Sequence, residues 1–442
     1  MRPILLVIFA FFSCATIKAQ SLPHPALIGY WHNWNDGAAP YIPLDQIDPR
    51  YNVIEVSFAE PVVGTSHDMA FTPTGNTIPE FTAQVAQLRS AGKVVSISIG
   101  GANAPVHLDS DLERDQFIAS MLNIIDAYGF DGMDIDLEGS SVSISGGTIA
   151  TPVDATIIRL IDAIHGIMAG YRSANGSKLF LTMAPETAYV QGGQSAFGGL
   201  WGAYLPVIHA LRDSIDILQV QLYNSGSMFG LDGVIYAQGT ADFIVSQTET
   251  VIQGFSTAGG SFDGLRADQI AVALPACASA AGGGYTDTAT VFDAIRYLLG
   301  PGPQPGAYAL QQSGGYPNLR GLMTWSINWD AAPACNGSYS FAENYERIFG
   351  DFSTGVPELA GAPFTVFPNP ASDVVRIQLP PNTQGPVKLL ITNAMGQVVR
   401  LESYSAASPI TLATEELGSG MYTIQLQDRS GVKGFAKLLV AR

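Results

Sequence analysis

From residue 26 to residue 329, short runs of β-type residues alternate with longer stretches whose apolar positions recur every three or four residues. The runs are ALIGYW (26–31), VIEVSFA (53–59), KVVSISIGG (93–101), GMDIDLE (132–138), KLFLTMAPE (178–186), ILQVQLYN (217–224), QIAVALP (269–275) and LMTWSINW (322–329). Segments such as IPEFTAQVAQLRSAG (78–92) and DQFIASMLNIIDAYG (115–129) carry the helical spacing between them. Eight strand-then-helix units over roughly 320 residues predict an α/β fold of the (β/α)8 TIM-barrel type, which usually takes about 250 residues and more when its loops are enlarged. An open doubly wound sheet alternates in the same way, but eight repeats favour closure.

The pattern changes at residues 351–362, a linker containing Pro and Gly. Residues 363–442 then carry VVRIQL (374–379), VKLLIT (387–392), MYTIQLQ (421–427) and FAKLLVA (435–441), separated by turn residues, which predicts a small all-β sandwich. Charge shifts at the same place. Residues 20–360 hold twelve Lys/Arg against thirty-three Asp/Glu, a formal −21, while residues 361–442 hold seven against five, a formal +2. At the other end, residues 1–19 have a basic start, an apolar run over 4–12 and a small residue for cleavage, the features of a secretory signal peptide. That run falls well short of the about 20 apolar residues that a membrane span needs.

With 47% hydrophobic and 13% charged residues the chain has the material for a filled core. Its net charge of −17, or −19 without Arg2 and Lys18, disfavours nucleic acid and anionic membranes as partners. The six histidines are scattered, with no His-x-x-x-His pair and no Cys/His cluster, so neither a metal nor a cofactor is expected. Once the signal is removed, Cys277 and Cys335 remain, following the seventh and eighth predicted strands, and one bridge between those neighbouring loops is expected in an exported protein.

The densest chemistry lies in FDGMDIDLEGS (130–140). On a strand, successive side chains point to opposite faces, so Asp134, Asp136 and Glu138 share one face while Met133, Ile135 and Leu137 share the other. In a barrel the apolar face meets the helix layer and the acids enter the lumen. Carboxylates spaced about 7 Å apart in a partly dry lumen cannot all ionise freely, so at least one is expected to hold a proton at neutral pH. Glu138 ends the run, at the mouth where barrels of this type place catalysis, and a protonated carboxyl there is what a general acid requires. A calcium loop fits poorly: its spacers would be apolar, and its twelfth position would be Ser145. On the sixth run Gln219, Gln221 and Tyr223 share a face in the same way, as either lumen ligands or satisfied core polar groups.

FDGMDIDLEG is similar to the D-x-x-D-x-D-x-E signature of glycoside hydrolase family 18, the chitinases and related endo-β-N-acetylglucosaminidases. SIGG (98–101), LTMAPE (181–186), QLYN (221–224) and TWSINWD (324–330) resemble that family's third-, fifth-, sixth- and eighth-strand segments in order. The resemblance implies substrate-assisted hydrolysis with retention, without attack by an enzyme carboxylate. It makes Glu138 the acid/base, Asp136 the partner of the substrate's acetamido N–H, Asp134 the group that shares a proton with Asp136, and Tyr223 a donor to the acetamido oxygen. It further implies substrate contacts from Trp325 as the floor, Gln221, Asn224, Tyr30, Ala184 and Glu186, with Tyr30 also supporting the inner aspartates; Trp31 is a candidate contact because sugar rings pack on aromatic faces. Asp131, Ser98, Gly100 and Gly101 would support the site. Trp34 and Trp329 are further candidates, because sugar rings pack on aromatic faces.

The tail resembles the type IX secretion C-terminal sorting domain of certain Gram-negative bacteria, on Pro368, Asn369, Pro370, Gly420, Tyr422 and Lys437. That likeness implies a partner in the secretion machinery and export through the periplasm and outer membrane to the medium or the cell surface. The combined expectation is a monomeric secreted chitinase acting on β-1,4-linked N-acetylglucosamine. An endo-β-N-acetylglucosaminidase acting on N-glycan chitobiose cores stands as the alternative, with a non-catalytic glycan binder below it.

Overall fold

The computed structural model describes residues 22–350 except 36 and 336, and residues 364–441 except 380–382, 384, 394–397, 406–408, 416 and 429–430. The signal (1–19) and the linker (351–362) expected from the sequence lie outside the described residues. Two compact units are present, Met1–Ser353 and Thr354–Arg442.

The first unit is built on a parallel sheet of eight strands: β1 (Ala26–His32), β2 (Val53–Pro61), β3 (Val94–Gly101), β4 (Gly132–Leu137), β5 (Phe180–Met183), β6 (Ile217–Leu218), β7 (Ala271–Pro275) and β8 (Gly321–Trp325). Each strand pairs with the next from β1 to β6, and β8 pairs with both β7 and β1. Isolated bridges Leu218↔Ile270 and Gln221↔Ala273 carry the sheet from the sixth strand to the seventh and close the barrel.

Two strands are shorter than their sequence runs. The run 217–224 keeps regular pairing only at Ile217–Leu218, although Gln221 N–H still donates to the Pro185 carbonyl at 2.9 Å. Pro185 has no N–H to return, so the ladder with the fifth strand lapses there. The run 322–329 stops at Trp325, because the Ser326 hydroxyl accepts from the Trp329 N–H and caps a short helix, α7 (Ile327–Ala331).

The helices α1 (Ile78–Ser90), α2 (Asp111–Tyr128), α3 (Ala155–Asn175), α4 (Leu205–Leu211), α5 (Ala241–Gln253), α6 (Thr288–Leu299) and α8 (Ser340–Phe349) accompany the strands. Capping boxes start α1 at Thr77 with Glu80 and α2 at Ser110 with Glu113. The second box sets the start of α2 four residues before the helical spacing becomes apparent in the sequence.

Alternation along the strands divides the apolar residues into two layers. Trp31, Ile54, Val56, Ile97, Met133, Ile135 and Leu137 lie in the large core that also takes the helix faces. Ala26, Ile28, Val53, Val94, Phe180, Ile217, Ala271, Ala273 and Met323 form a separate cluster with Tyr30 and Ala184, which fills the lumen. The acids of β4 stand above this plug.

The second unit consists of two antiparallel sheets. One holds β9 (Thr365–Phe367), β10 (Val374–Gln378) and β13 (Ile410–Ala413). The other has the order β12 (Val398–Tyr404), β11 (Val387–Asn393), β14 (Gly420–Asp428), β15 (Gly431–Val440). Val375 and Ile377 of the first sheet share one apolar cluster with Leu389, Ile391, Ile424 and Leu426 of the second. Asn369 ties a turn to β15, its amide donating to the Lys437 carbonyl at 2.7 Å and its side-chain oxygen accepting from Leu439 N–H at 2.8 Å. The sequence runs anticipated four of these seven strands. β9 and β13 are short, and β12 interleaves Arg400 and Glu402 with its apolar positions.

Candidate active site

A cavity of about 300 Å³ opens at the C-terminal ends of the strands. Asp136, Glu138, Gln221, Tyr223 and Asn224 supply its polar wall, and Trp34, Phe58 and Trp325 its aromatic one. Gly100, Gly101, Ala102, Asn103, Glu60 and Ala280 complete the rim. A second cavity, about 590 Å³, shares Trp34, Phe58 and Glu60 with the first and continues past Val62, Val63, Thr72 and Thr74.

Beneath the cavity the acids form a column. Asp134 is fully buried, and its Oδ2 accepts from the Tyr30 hydroxyl at 2.6 Å and the Ser98 hydroxyl at 2.7 Å. Its Oδ1 accepts from the Thr182 hydroxyl at 2.6 Å. Burial raises its pKa, and those donors, which favour the anion, oppose the rise. Asp136 sits above, and the Gln221 amide holds it in place, with Nε2 at 2.8 Å from Asp136 Oδ1, 3.1 Å from Glu138 Oε1 and 2.9 Å from the Ala184 carbonyl. Burial pushes the Asp136 pKa well above the usual carboxylate range, and the neighbouring charges of Glu138 and Asp134 push the same way.

The Tyr223 phenol is buried beside this pair. Burial, followed by the charges of Asp136 and Glu138, raises its pKa well above 10, so it remains an O–H donor. Asn224, the next residue, has a left-handed φ of 54°, and its N–H donates to the Gly283 carbonyl at 3.1 Å. This kink ends the run that continues β6 and turns the chain along the cavity rim. Gly100 and Gly101 also have positive φ, 98° and 72°; a Cβ on the first would lie 2.3 Å from the Asp136 carbonyl, and one on the second 2.9 Å from the Phe58 ring. They line the cavity because only a bare backbone fits between β4 and that ring.

Phe58 and Trp325 stack at 6.0 Å and 15°, and Trp34 lies over the buried His32 ring at 4.4 Å and 10°. Below Trp325, a disulfide joins Cys277 to Cys335, with Cα atoms 5.3 Å apart, in a small apolar cluster with Ala280 and Trp329. Trp329 therefore packs behind the wall.

Four residues expected to contact substrate lie elsewhere. Trp31 is fully buried on the helix side of β1, its indole N–H donating to the Ile42 carbonyl at 2.8 Å and its ring packing on Tyr41 and Phe81. The alternation that turns Tyr30 inward turns Trp31 outward. Tyr30 lies under Asp134 and out of the cavity. Ala184 is buried in the lumen cluster and offers its carbonyl to Gln221. Glu186, half-buried, bridges Gln221 through its backbone and does not line the cavity; burial and the Glu138 charge raise its pKa. Asp131 is at the far end of the strand, bonded to Arg89 Nε at 2.7 Å and to the Val95 N–H at 2.9 Å.

Glu55, Thr182, Phe58, Glu60 and Asn103 belong to the site or its support and were not singled out in the sequence. Glu55 left one trace, a charged residue on the inward-facing alternation in the middle of a largely apolar strand.

The chain is similar to known proteins over both of its units. Residues 26–269 match the family described as Glycosyl hydrolases family 18, and residues 365–441 match Secretion system C-terminal sorting domain. Chitinase Chi52 of Paenibacillus xylanexedens is 48% identical over 328 residues, 72% of this chain and 62% of that protein. The chain thus spans less than two thirds of the length of that relative. A probable class II chitinase of Arthroderma benhamiae is 40% identical over 304 residues, 65% of this chain and 90% of that protein. Among solved structures, a family GH18 chitinase from Chromobacterium violaceum superposes with a TM-score of 0.65 at 35% identity, covering 74% of this chain and 83% of the other.

Proposed function

The chain belongs to glycosyl hydrolase family 18 and carries a secretion-system C-terminal sorting domain; on that premise we propose that it is a secreted chitinase, cleaving β-1,4 links between N-acetylglucosamine units with retention of configuration. The observation that carries this reading is the pairing of Asp136 with Glu138 on one Gln221 amide, at the wall of a cavity flanked by Trp325 and Tyr223.

In the proposed reaction Trp325 receives the apolar face of the reacting sugar. Glu138 gives its proton to the glycosidic oxygen, and that C–O bond breaks as the substrate's own acetamido oxygen bonds to the anomeric carbon, forming an oxazolinium ion. Asp136 accepts the acetamido N–H and balances the positive charge that grows on the group, while the Tyr223 hydroxyl donates to its oxygen. Glu138, now ionised, takes a proton from the water that attacks the anomeric carbon and opens the ring, and the acetamido group is restored. At rest Asp136 holds the column's proton, and it passes that proton to Glu138 as substrate enters, which leaves Asp136 the anion that the acetamido N–H meets.

The names of the relatives favour chitin over N-glycan cores as the substrate. Residues 365–441 would hand the protein to type IX secretion machinery of a Gram-negative cell, for release or attachment at the surface. Product analysis from chitin oligomers and from a high-mannose glycoprotein, with wild type and Glu138→Gln, tests the reading. Release from the oligomers that the variant abolishes is expected. No release from either substrate defeats the enzyme, and release from the glycoprotein alone defeats the chitinase.

A further inference from the structure

Glu55 is completely buried in the barrel, and no step of the proposed reaction uses it. Both its carboxyl oxygens lie 2.7 Å from Gln219 Nε2, and Oε1 lies 2.9 Å from the Thr182 hydroxyl. The same hydroxyl is 2.6 Å from Asp134 Oδ1. A threonine hydroxyl carries one proton, so it can donate to only one of two carboxyl groups. Its second short contact requires the other carboxyl to be the donor. Asp134 already receives Tyr30 and Ser98 on its other oxygen, the environment of an anion, whereas Glu55 has the Gln219 amide and competes with Asp134 for the single Tyr30 proton.

The charge that acts most strongly on Glu55 is that of Asp134, of its own sign. The titratable groups facing Glu55 are Tyr30 from β1, Asp134 and Asp136 from β4, and Tyr223 beyond β6. Ser98 of β3, Thr182 of β5 and Gln219 beside β6 do not titrate in this range, and β7 and β8 present Ala271, Ala273 and Met323 to the lumen. The buried cation Arg320 bonds instead to the carbonyls of Asp268 and Pro23. Two buried carboxylates joined by one hydroxyl do not both stay ionised.

We propose that Glu55 is a positioning residue that works as a neutral acid: it donates its proton to the Thr182 hydroxyl, which donates in turn to Asp134 and holds Asp134 as the fixed anion beneath Asp136. Burial and the adjacent Asp134 charge, which raise the Glu55 pKa well above the ordinary range, act in the same direction. With Asp134 fixed in charge and orientation, the mobile proton of the column is confined to Asp136 and Glu138. The catalytic consequence rests on the hydrolytic reading above, but the proton count does not.

The test combines infrared difference spectra of wild type and Glu55→Gln at neutral pH with pH profiles of kcat/KM on chitin oligomers. Gln reproduces the shape and donor of a neutral Glu, so wild type minus variant is expected to carry the carbonyl stretch of one protonated carboxylic acid. The Glu55→Gln profile is expected within about 3-fold of wild type with both limbs superimposed, whereas Glu55→Leu, which removes the donor, loses about 100-fold, the scale of a misplaced catalytic group. A difference spectrum with carboxylate bands in place of the acid band overturns the proposal. So does an alkaline limb displaced to lower pH in Glu55→Gln, since losing a negative charge weakens the hold of Asp136 on its proton. If Glu55→Gln does not fold, the band is read in a Glu138→Gln background by ¹³C-labelling of glutamate, which must move it. If wild type hydrolyses no oligomer, the chitinase reading fails, and the infrared band still decides the state of Glu55.

Discussion

The two ends of the acidic strand hold the same residue type in opposite surroundings. At the start, Asp131 meets the Arg89 guanidinium and the Val95 N–H, partners that oppose the rise in pKa caused by its burial. Five residues further on, no ion pair reaches Asp136 among the described residues, and its charged neighbours Glu138 and Asp134 are of its own sign. A buried carboxylate with a counter-charge fastens the frame; one without it holds a proton that chemistry can draw on. Four acids that look alike in the sequence are thus separated by what they face.

The largest effect expected along this strand is at its end. Glu138→Gln should lower kcat on chitin oligomers by about 10³-fold, within the range for removing a general acid/base, with the thermal midpoint unchanged. A loss below tenfold would break the division between frame and chemistry.

Next comes the direct comparison of Asp136→Asn with Asp131→Asn. The first should cost about 100-fold in kcat while stability holds or rises, because an amide replaces a carboxyl pressed by like charges. The second should leave kcat within about 3-fold and lower unfolding free energy by about 1–2 kcal/mol, the cost of losing a charged acceptor from two donors. The lower half of that range is expected, since the Arg89 side chain is 38% exposed and its pair is screened. Urea unfolding and steady-state rates on the two variants check both, and swapped phenotypes would reverse the account of the strand.

The smallest effect concerns pH. A carboxyl whose pKa is higher folded than unfolded binds its proton more tightly in the folded chain. The stability it contributes is therefore complete below the ordinary value of about 4 and is lost as pH rises through the raised one. Wild type should lose stability across that window relative to Asp136→Asn, as measured by thermal midpoints at stepped pH. Parallel curves would mean that Asp136 titrates normally.

Much of this was legible in the sequence where local rules act alone. The eight strand runs, the inward acids of β4 and the outward Met133, Ile135 and Leu137 follow from alternation. The same rule also excludes Trp31, which the expectation of sugar-stacking aromatics had drawn into the site. What was not legible depends on residues distant in the chain: Thr182 and Gln219 reach Glu55 across sequence separations of 127 and 164. Ala184 and Glu186 were expected at the cavity from the resemblance of LTMAPE to a family strand, whereas regular pairing ends at Met183 and Pro185 breaks the ladder. In the tail, alternation found the strands with clean apolar faces and missed β12, whose polar positions include Arg400 and Glu402.

The central claim is that Glu138 and the substrate's own acetamido group, with Asp136 behind them, carry the reaction. Proton NMR of the first product released from a chitin oligomer, recorded before the anomers equilibrate, tests it most directly. The account requires the β-anomer, the outcome of two displacements at one carbon; the α-anomer as first product would mean direct attack by water and would contradict it.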